Sequence, residues 1–296
     1  MNSTTPVIEL FHLKYSYGQS AAVNDLNLRV QRGRCYGFFG RNGAGKTTTI
    51  KCLLNLLEPA SGEARVFGLN PRKEEVAVKS RLAYVPDNVA FYPWMTVRQV
   101  LDYLASFRQS WNGQTEAGLL GKFGLDANKK VTALSKGQKT QLALVGAICA
   151  DPELLILDEP TAGLDPIVRR EFIETVIGSY QDADPGNRTV FISTHLISEF
   201  EGLIDEFTII EDGRETLTLD SDEARSRYKR IRARFAGAPP AVEFAEAKQT
   251  RRDGRELELT VNGHSEDVLQ RLQALSPEAI TTEALTLEEI FVAALK

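Results

Sequence analysis

The sequence predicts an α/β fold: a parallel core sheet with an antiparallel β-subdomain and a helical subdomain, followed by a small C-terminal α+β appendix. Three observations predict it. Gly40-Arg41-Asn42-Gly43-Ala44-Gly45-Lys46-Thr47 is a glycine-rich loop between a short apolar run, 35–39, and a helical run, 48–57. Leu154-Leu155-Ile156-Leu157-Asp158 is apolar up to its last residue, as a strand covered on both faces of a parallel sheet must be. From Pro86 to about Leu134 the texture turns mainly helical, and beyond about Thr218 the pattern changes again.

Composition narrows the class. The chain has 296 residues, 43% hydrophobic and 25% charged, enough to bury a full core. Net charge is −5 with no basic block, which argues against nucleic acid as the main ligand. The three cysteines, Cys35, Cys52 and Cys149, lie far apart in apolar segments and read as buried hydrophobes in a reducing compartment. The three histidines, His12, His195 and His264, have no cysteine nearby, so zinc is not expected. Met1–Pro6 lacks a signal-peptide pattern, and no apolar run approaches the roughly 20 residues of a membrane span. The expectation is a cytosolic protein. If it works at a membrane, another chain supplies the membrane part.

In chain order, residues 7–13 and 22–30 alternate apolar and polar side chains and read as strands around a turn at 15–18. After the glycine-rich loop and its helix, 58–63 is a breaker cluster, and 64–67 and 81–85 read as short strands. Thr96 is placed to cap a helix over 97–107, with Val97, Val100, Leu101 and Leu104 on one face. Further helical material runs towards Phe123, completing a helical insertion over about 86–150. A helix over 139–150 precedes the strand at 154–158. A helix over about 168–180, a strand at 189–193, a helical stretch at 197–203 and a strand and turn over 207–213 follow. The division expected is 1–219 and 220–296, with a linker near Asp220. In the second part 230–235 and 257–261 read as strands, and 267–275 and 287–295 as amphipathic helices.

The glycine-rich loop carries the first chemistry. Glycines let the backbone turn tightly and aim several N–H groups at one concavity, where an anion replaces water. Gly40, Asn42, Gly43, Ala44, Gly45, Lys46, Thr47 and Thr48 form this candidate cradle at a helix N-terminus. Lys46 adds a point charge for β- and γ-phosphates, and the Thr47 hydroxyl is a hard oxygen ligand for Mg²⁺. Asp158 at the strand end can hold Mg²⁺ directly or through water, and Glu159 beside it can orient an attacking water.

Leu134-Ser135-Lys136-Gly137-Gln138 closely resembles the LSGGQ signature of ATP-binding cassette (ABC) ATPases, with Lys136 where glycine is usual. The resemblance covers about residues 7–215. It implies that Tyr17, in Tyr17-Gly18, stacks on adenine, and that Asp158-Glu159 is the Walker B pair. It implies that Ala162-Gly163-Leu164-Asp165 is the D-loop, and that His195 is the switch histidine at the γ-phosphate. Val85-Pro86-Asp87 departs from the family, which often has glutamine there, so Asp87 is an expected metal-side residue whose contact is open.

Leu287-Glu288-Glu289-Ile290-Phe291 looks like the tail of single-cassette subunits in ABC-2-type exporters. What the resemblance implies is an ATPase with ATP and Mg²⁺ as cofactors and Glu159 and His195 as catalytic residues. Ser135, Gly137 and Gln138 would bind the ATP held by a second cassette in a head-to-tail dimer, expected to be a homodimer. A separate integral membrane permease is the other implied partner, and the chain would sit on the cytoplasmic face of the inner membrane. Four other readings compete less well. A soluble ABC protein acting on ribosome or DNA usually carries two cassettes or a long coiled-coil insertion, and neither is visible. A P-loop GTPase should show N-K-x-D, and Asn128-Lys129-Lys130-Val131 lacks the aspartate. A P-loop kinase is the third. A degenerate, non-hydrolysing cassette conflicts with the presence of Glu159 and His195.

Overall fold

The computed structural model describes residues 5–181, 183–184 and 186–295. Residues 1–4, part of the stretch expected to lack a signal-peptide pattern, lie outside them. Two compact units emerge: Met1–Leu196 with Thr208–Glu215, and Ile197–Phe207 with Thr216–Lys296.

The first unit begins with β1 (Ile8–Tyr17) and β2 (Ser20–Val30), paired antiparallel from Ile8 opposite Val30 to Tyr17 opposite Ser20. β3 (Cys35–Gly40) enters the glycine-rich loop with every residue buried, and α1 (Lys46–Leu53) leaves it. β4 (Ser61–Val66) joins the other edge of β1, giving a three-stranded antiparallel sheet in the order β2-β1-β4. A short α2 (Glu75–Lys79) leads to β5 (Leu82–Val85). The helical part holds α3 (Val97–Ala105), α4 (Gly113–Lys122) and α5 (Lys136–Cys149). The chain returns through β6 (Leu154–Asp158), α6 (Pro166–Thr175), β7 (Thr189–Thr194), β8 (Glu206–Glu211) and β9 (Arg214–Asp220). The main sheet has the order β5-β6-β7-β3-β8-β9, and its β5-β6, β6-β7 and β3-β7 pairs are parallel.

Apolar burial holds this layer in place. Phe191 of β7 stacks on Tyr36 of β3 at 5.8 Å between ring centroids and tilts against Phe38 at 5.3 Å. Each such side chain contributes about 1.5–3 kcal/mol when fully buried. All three cysteines are buried free thiols, as expected.

Several boundaries differ from the sequence reading, each for a local reason. α1 ends at Leu53, short of Leu57, because Asn55 takes the left-handed conformation (φ 55°), which asparagine tolerates. α5 starts at Lys136, ahead of Lys139, because Ser135 caps it. Ser135 Oγ accepts from Gln138 N at 3.1 Å and Gln138 Oε1 accepts from Ser135 N at 3.2 Å. Thr96 and Gln99 close the same kind of box on α3, where Thr96 was expected to cap. α6 starts at Pro166, with Asp165 as its N-cap, and gives way at Val176–Gln181 to a wider helical turn.

The expected linker near Asp220 is absent. β9 runs up to Asp220, whose carboxylate accepts from Asp222 N at 3.0 Å and so caps α7 (Ser221–Arg227) at once. β10 (Tyr228–Arg234), β11 (Ala247–Asp253) and β12 (Glu256–Asn262) follow, then α8 (Ser265–Ala274), β13 (Ala279–Ala284) and α9 (Leu287–Ala294). The strands form an antiparallel sheet in the order β11-β12-β10-β13. β11 and β13 escaped the sequence reading because they are edge strands with mostly exposed side chains, so no apolar alternation marks them. Ile197–Phe207 belongs with this part: Leu287 N donates to Glu201 Oε1 at 3.0 Å, and Ser221 N to Asp205 O at 2.8 Å.

Candidate functional site

The site starts where β3 stops. Gly43 and Gly45 take φ 85° and 102°, which L side chains rarely adopt, and a Cβ on Gly45 would stand 2.3 Å from Ala22 O. Ala44 N donates to Arg41 O at 3.1 Å and tightens the turn. The N-terminus of α1 has no side-chain cap, so its first N–H groups and the positive end of its dipole face the loop's concavity. Lys46, in the first turn, is 6% exposed. Its Nζ donates to Gly40 O at 2.7 Å and Arg41 O at 3.3 Å, and lies 3.0 Å from Glu159 Oε1.

The parallel register of β6 and β7 builds the other wall by setting Asp158 opposite Ser193. Ser193 Oγ donates to Asp158 Oδ1 at 2.9 Å. Burial pushes the Asp158 carboxyl up, while the nearby Thr47 and Ser193 hydroxyls pull the other way. Its Oδ2 is buried without a hydrogen-bond partner among the described residues. Glu159 follows at φ 47°, a strained conformation for a non-glycine residue that costs about 1–3 kcal/mol. Its Oε2 accepts from Thr194 Oγ1 at 3.2 Å and from His195 N at 3.3 Å, and lies 2.8 Å from His195 Nδ1. Glu159 thus sits between the Lys46 ammonium and the His195 ring.

A cleft of about 390 Å³ opens over the loop, lined by Tyr17, Ala22, Arg41, Asn42, Gly43, Gly45, Lys46, Thr47, Thr48, Asp87 and Glu159. Tyr17 is half-exposed at its rim, edge-on to the Tyr15 ring at 4.9 Å. Asp87 reaches the rim from the loop after β5; Asn88 Nδ2 donates to its Oδ2 at 3.0 Å, and Lys136 Nζ stands 3.8 Å from its Oδ1. Gly40 and Ala44 shape the loop without lining the cleft, and Asp158 lies beneath it. His195 reaches the cleft through Glu159. Ser135, Gly137 and Gln138 do not line it: they form the first turn of α5, with Ser135 and Gln138 bonded to one another. His12 and His264 are exposed and paired with Asp25 and Asp267 respectively, and neither lines this cleft.

Mg²⁺ fits the donor set. The orphaned Asp158 Oδ2 and the nearby Thr47 hydroxyl are hard oxygens. No group of three or more His, Cys, Asp or Glu side chains able to hold a metal occurs among the described residues. A site with few protein oxygens suits Mg²⁺, which keeps waters and takes phosphate oxygens as further ligands.

Four contributors escaped the sequence reading. Ser193 ends the strand expected at 189–193 and Thr194 follows it; neither was expected in the site, yet they hold Asp158 and Glu159. Tyr84 faces Asp158, and burial and that carboxylate raise its phenol. Lys136 was noted as a departure without a contact. A hydroxyl directly before the histidine was the available signal for Thr194; the others depend on strand register or loop packing.

Such a site is that of a P-loop nucleotide-binding protein. Residues 23–162 match the family model described as ABC transporter. The chain is 37% identical over 226 residues to the bacitracin transport ATP-binding protein BcrA of Bacillus licheniformis, covering 76% of this chain and 73% of that one. It is 26% identical to the ABC transporter ATP-binding protein YtrB of Bacillus subtilis over 97% of both chains. A solved structure described as the ATP binding subunit of an ABC transporter is 28% identical, with a TM-score of 0.67 over 74% of this chain and 92% of that one. The chain belongs to the ABC transporter ATP-binding proteins, whose ATPase activity is coupled to transport.

Proposed function

We propose that this chain forms a head-to-tail homodimer around two ATPs and drives a separate membrane permease, in export. The observation that carries the reading is the position of Ser135, Gly137 and Gln138. They present a helix N-terminus suited to an anion, yet they do not line the chain's own cleft. A second copy would bring its loop-bound nucleotide to that turn.

In this reading Tyr17 stacks on adenine. The backbone from Gly40 to Gly45, with Lys46 and Thr48, cradles the phosphates. Thr47 and Asp158 would hold Mg²⁺, which when bound would offset charge on the phosphates; Asp87 would stand on the metal side of the cleft. Glu159 orients and polarises the attacking water, and His195 keeps Glu159 aligned and reaches the γ-phosphate. Glu159 already stands between a cation and an imidazole, so it needs little reorganisation to act.

A permease as partner is supported by two features. No helix of the described residues is long and apolar enough to cross a membrane. An exposed aromatic ladder, Trp94-Tyr92-Tyr103-Phe107, runs over the helical part with ring centroids 4.7, 6.0 and 5.0 Å apart. With a permease partner the chain would sit on the cytoplasmic face of the inner membrane. Its net charge of −5, with no basic block, argues against nucleic acid as the main ligand. Export rests on the resemblance of the tail at Leu287–Phe291, which opens α9, to ABC-2-type exporter subunits.

The test is co-expression with a six-span membrane protein encoded beside it. Purification of both together, with ATP-driven efflux from cells or vesicles that Glu159→Gln abolishes, is the expected result. Efflux that continues with Glu159→Gln would overturn the assignment.

A further inference from the structure

Two residues near the cleft break the pattern that the other motifs keep: Lys136 in the signature and Asp87 after β5. The structure places them against each other, Lys136 Nζ 3.8 Å from Asp87 Oδ1. Neither charge is well placed alone. Lys136 stands in the first turn of α5, at the positive end of its dipole, where a cation is disfavoured. Asp87 lines the cleft that has to accept polyphosphate, where a further negative charge repels the incoming anion. Together each offsets the other.

The lysine stem also has a path made for it. A Cβ on Gly163 would stand 3.4 Å from Lys136 Nζ and 3.7 Å from its Cδ, and Gly163 takes φ 73°. The side chain therefore runs from the signature turn, past the loop before α6, to the rim of the cleft. Two other cations line the cleft: Lys46 is committed to Glu159 and the Gly40 carbonyl, and Arg41 lies 3.7 Å from Glu211.

We propose that Lys136 and Asp87 form a positioning pair: Lys136 neutralises Asp87 and so sets how strongly the chain's own cleft attracts phosphates. The proposal rests on the cleft being the nucleotide site, but not on the dimer. Both side chains are partly exposed, with 50% and 38% of their surfaces accessible, so the expected coupling is that of a screened pair, about two- to fivefold in affinity.

A double-mutant cycle on the full chain tests it, with AMP-PNP and Mg²⁺ titrated by calorimetry. Lys136→Gln should weaken binding about two- to fivefold at 50 mM salt. The loss should shrink below about twofold at 500 mM, because such pairs are screened. In the Asp87→Asn background Lys136→Gln should cost almost nothing, and Lys136→Arg should restore affinity to within about twofold of wild type. An equal loss in both backgrounds, or one indifferent to salt, overturns the pairing. Arginine as harmful as glutamine would overturn it too. Wild-type protein that does not bind AMP-PNP removes the nucleotide-site reading on which the pair depends, and that result is distinct from additivity.

Discussion

At the P-loop, Lys46 and Glu159 are held by several neighbours from different elements; at the signature, the Ser135 and Gln138 side chains bond to one another's backbone N–H within one helical turn. Lys46 is buried among two carbonyls and Glu159, and Glu159 is gripped in turn by Thr194 and His195. The first turn of α5 has a closed capping box, with its side chains partly or largely exposed. The difference is one of preorganisation. Groups that act on a transferring phosphate gain from being fixed in advance in a low-dielectric wall. A turn that meets a second molecule's ligand has to stay accessible, and the box keeps it helical meanwhile.

Substitutions should separate the two halves. Glu159→Gln removes the proposed acid–base group while keeping its shape, so hydrolysis should slow by about 10²–10⁴ while ATP still binds. ATP and Mg²⁺ should then accumulate a dimer on size-exclusion chromatography; a mutant that stays monomeric at saturating ATP would count against the shared site. Lys46→Ala leaves Glu159 buried beside a lost cation and removes the charge facing the phosphates. Nucleotide affinity should fall by about a hundredfold or more in Kd. Nucleotide binding within about threefold of wild type would sink the P-loop half of the comparison. Tyr17→Ala should weaken ATP binding by about 1–3 kcal/mol, the range for a base stacked on an aromatic ring, and should do so equally for ADP. Calorimetry with both nucleotides checks it, and an effect confined to ATP would place Tyr17 elsewhere than on adenine. Ser135→Ala breaks the box and should cost about 1 kcal/mol, lowering the unfolding temperature by about 2–4 °C. The same variant should weaken the ATP-dependent dimer, and dimerisation at wild-type affinity would show that Ser135 serves the helix alone.

The strands that the sequence made legible were those whose burial is written in their side chains. β3, β6 and β7 are buried throughout and read as continuous apolar runs. Helices with a hydroxyl cap and an amide three residues later were also legible in kind, though α5 begins a turn earlier than apolar periodicity placed it. β11, β13 and α7 were missed, because exposed edge strands and a polar seven-residue helix carry no such signal. The division of the chain shows a further limit. Ile197–Phe207 joins the C-terminal part through hydrogen bonds from Leu287 and Ser221, which composition does not foreshadow.

By itself the sequence determined the phosphate loop, the two carboxylates after an apolar strand and the order of the motifs, because each depends on neighbours within a few residues. Glycine at φ 102°, a lysine in the first helical turn and an aspartate at a strand end are local requirements, and local requirements leave local spelling. Tertiary structure alone decided which groups face one another. The register of β6 against β7 put Ser193 beside Asp158, since a one-residue slip would have sent every side chain to the opposite face. Likewise, the packing of the loop after β5 against the first turn of α5 brought Lys136 to Asp87 across 48 intervening residues. Charge pairing over such a separation depends on the path of the backbone between, and that path is fixed by burial elsewhere.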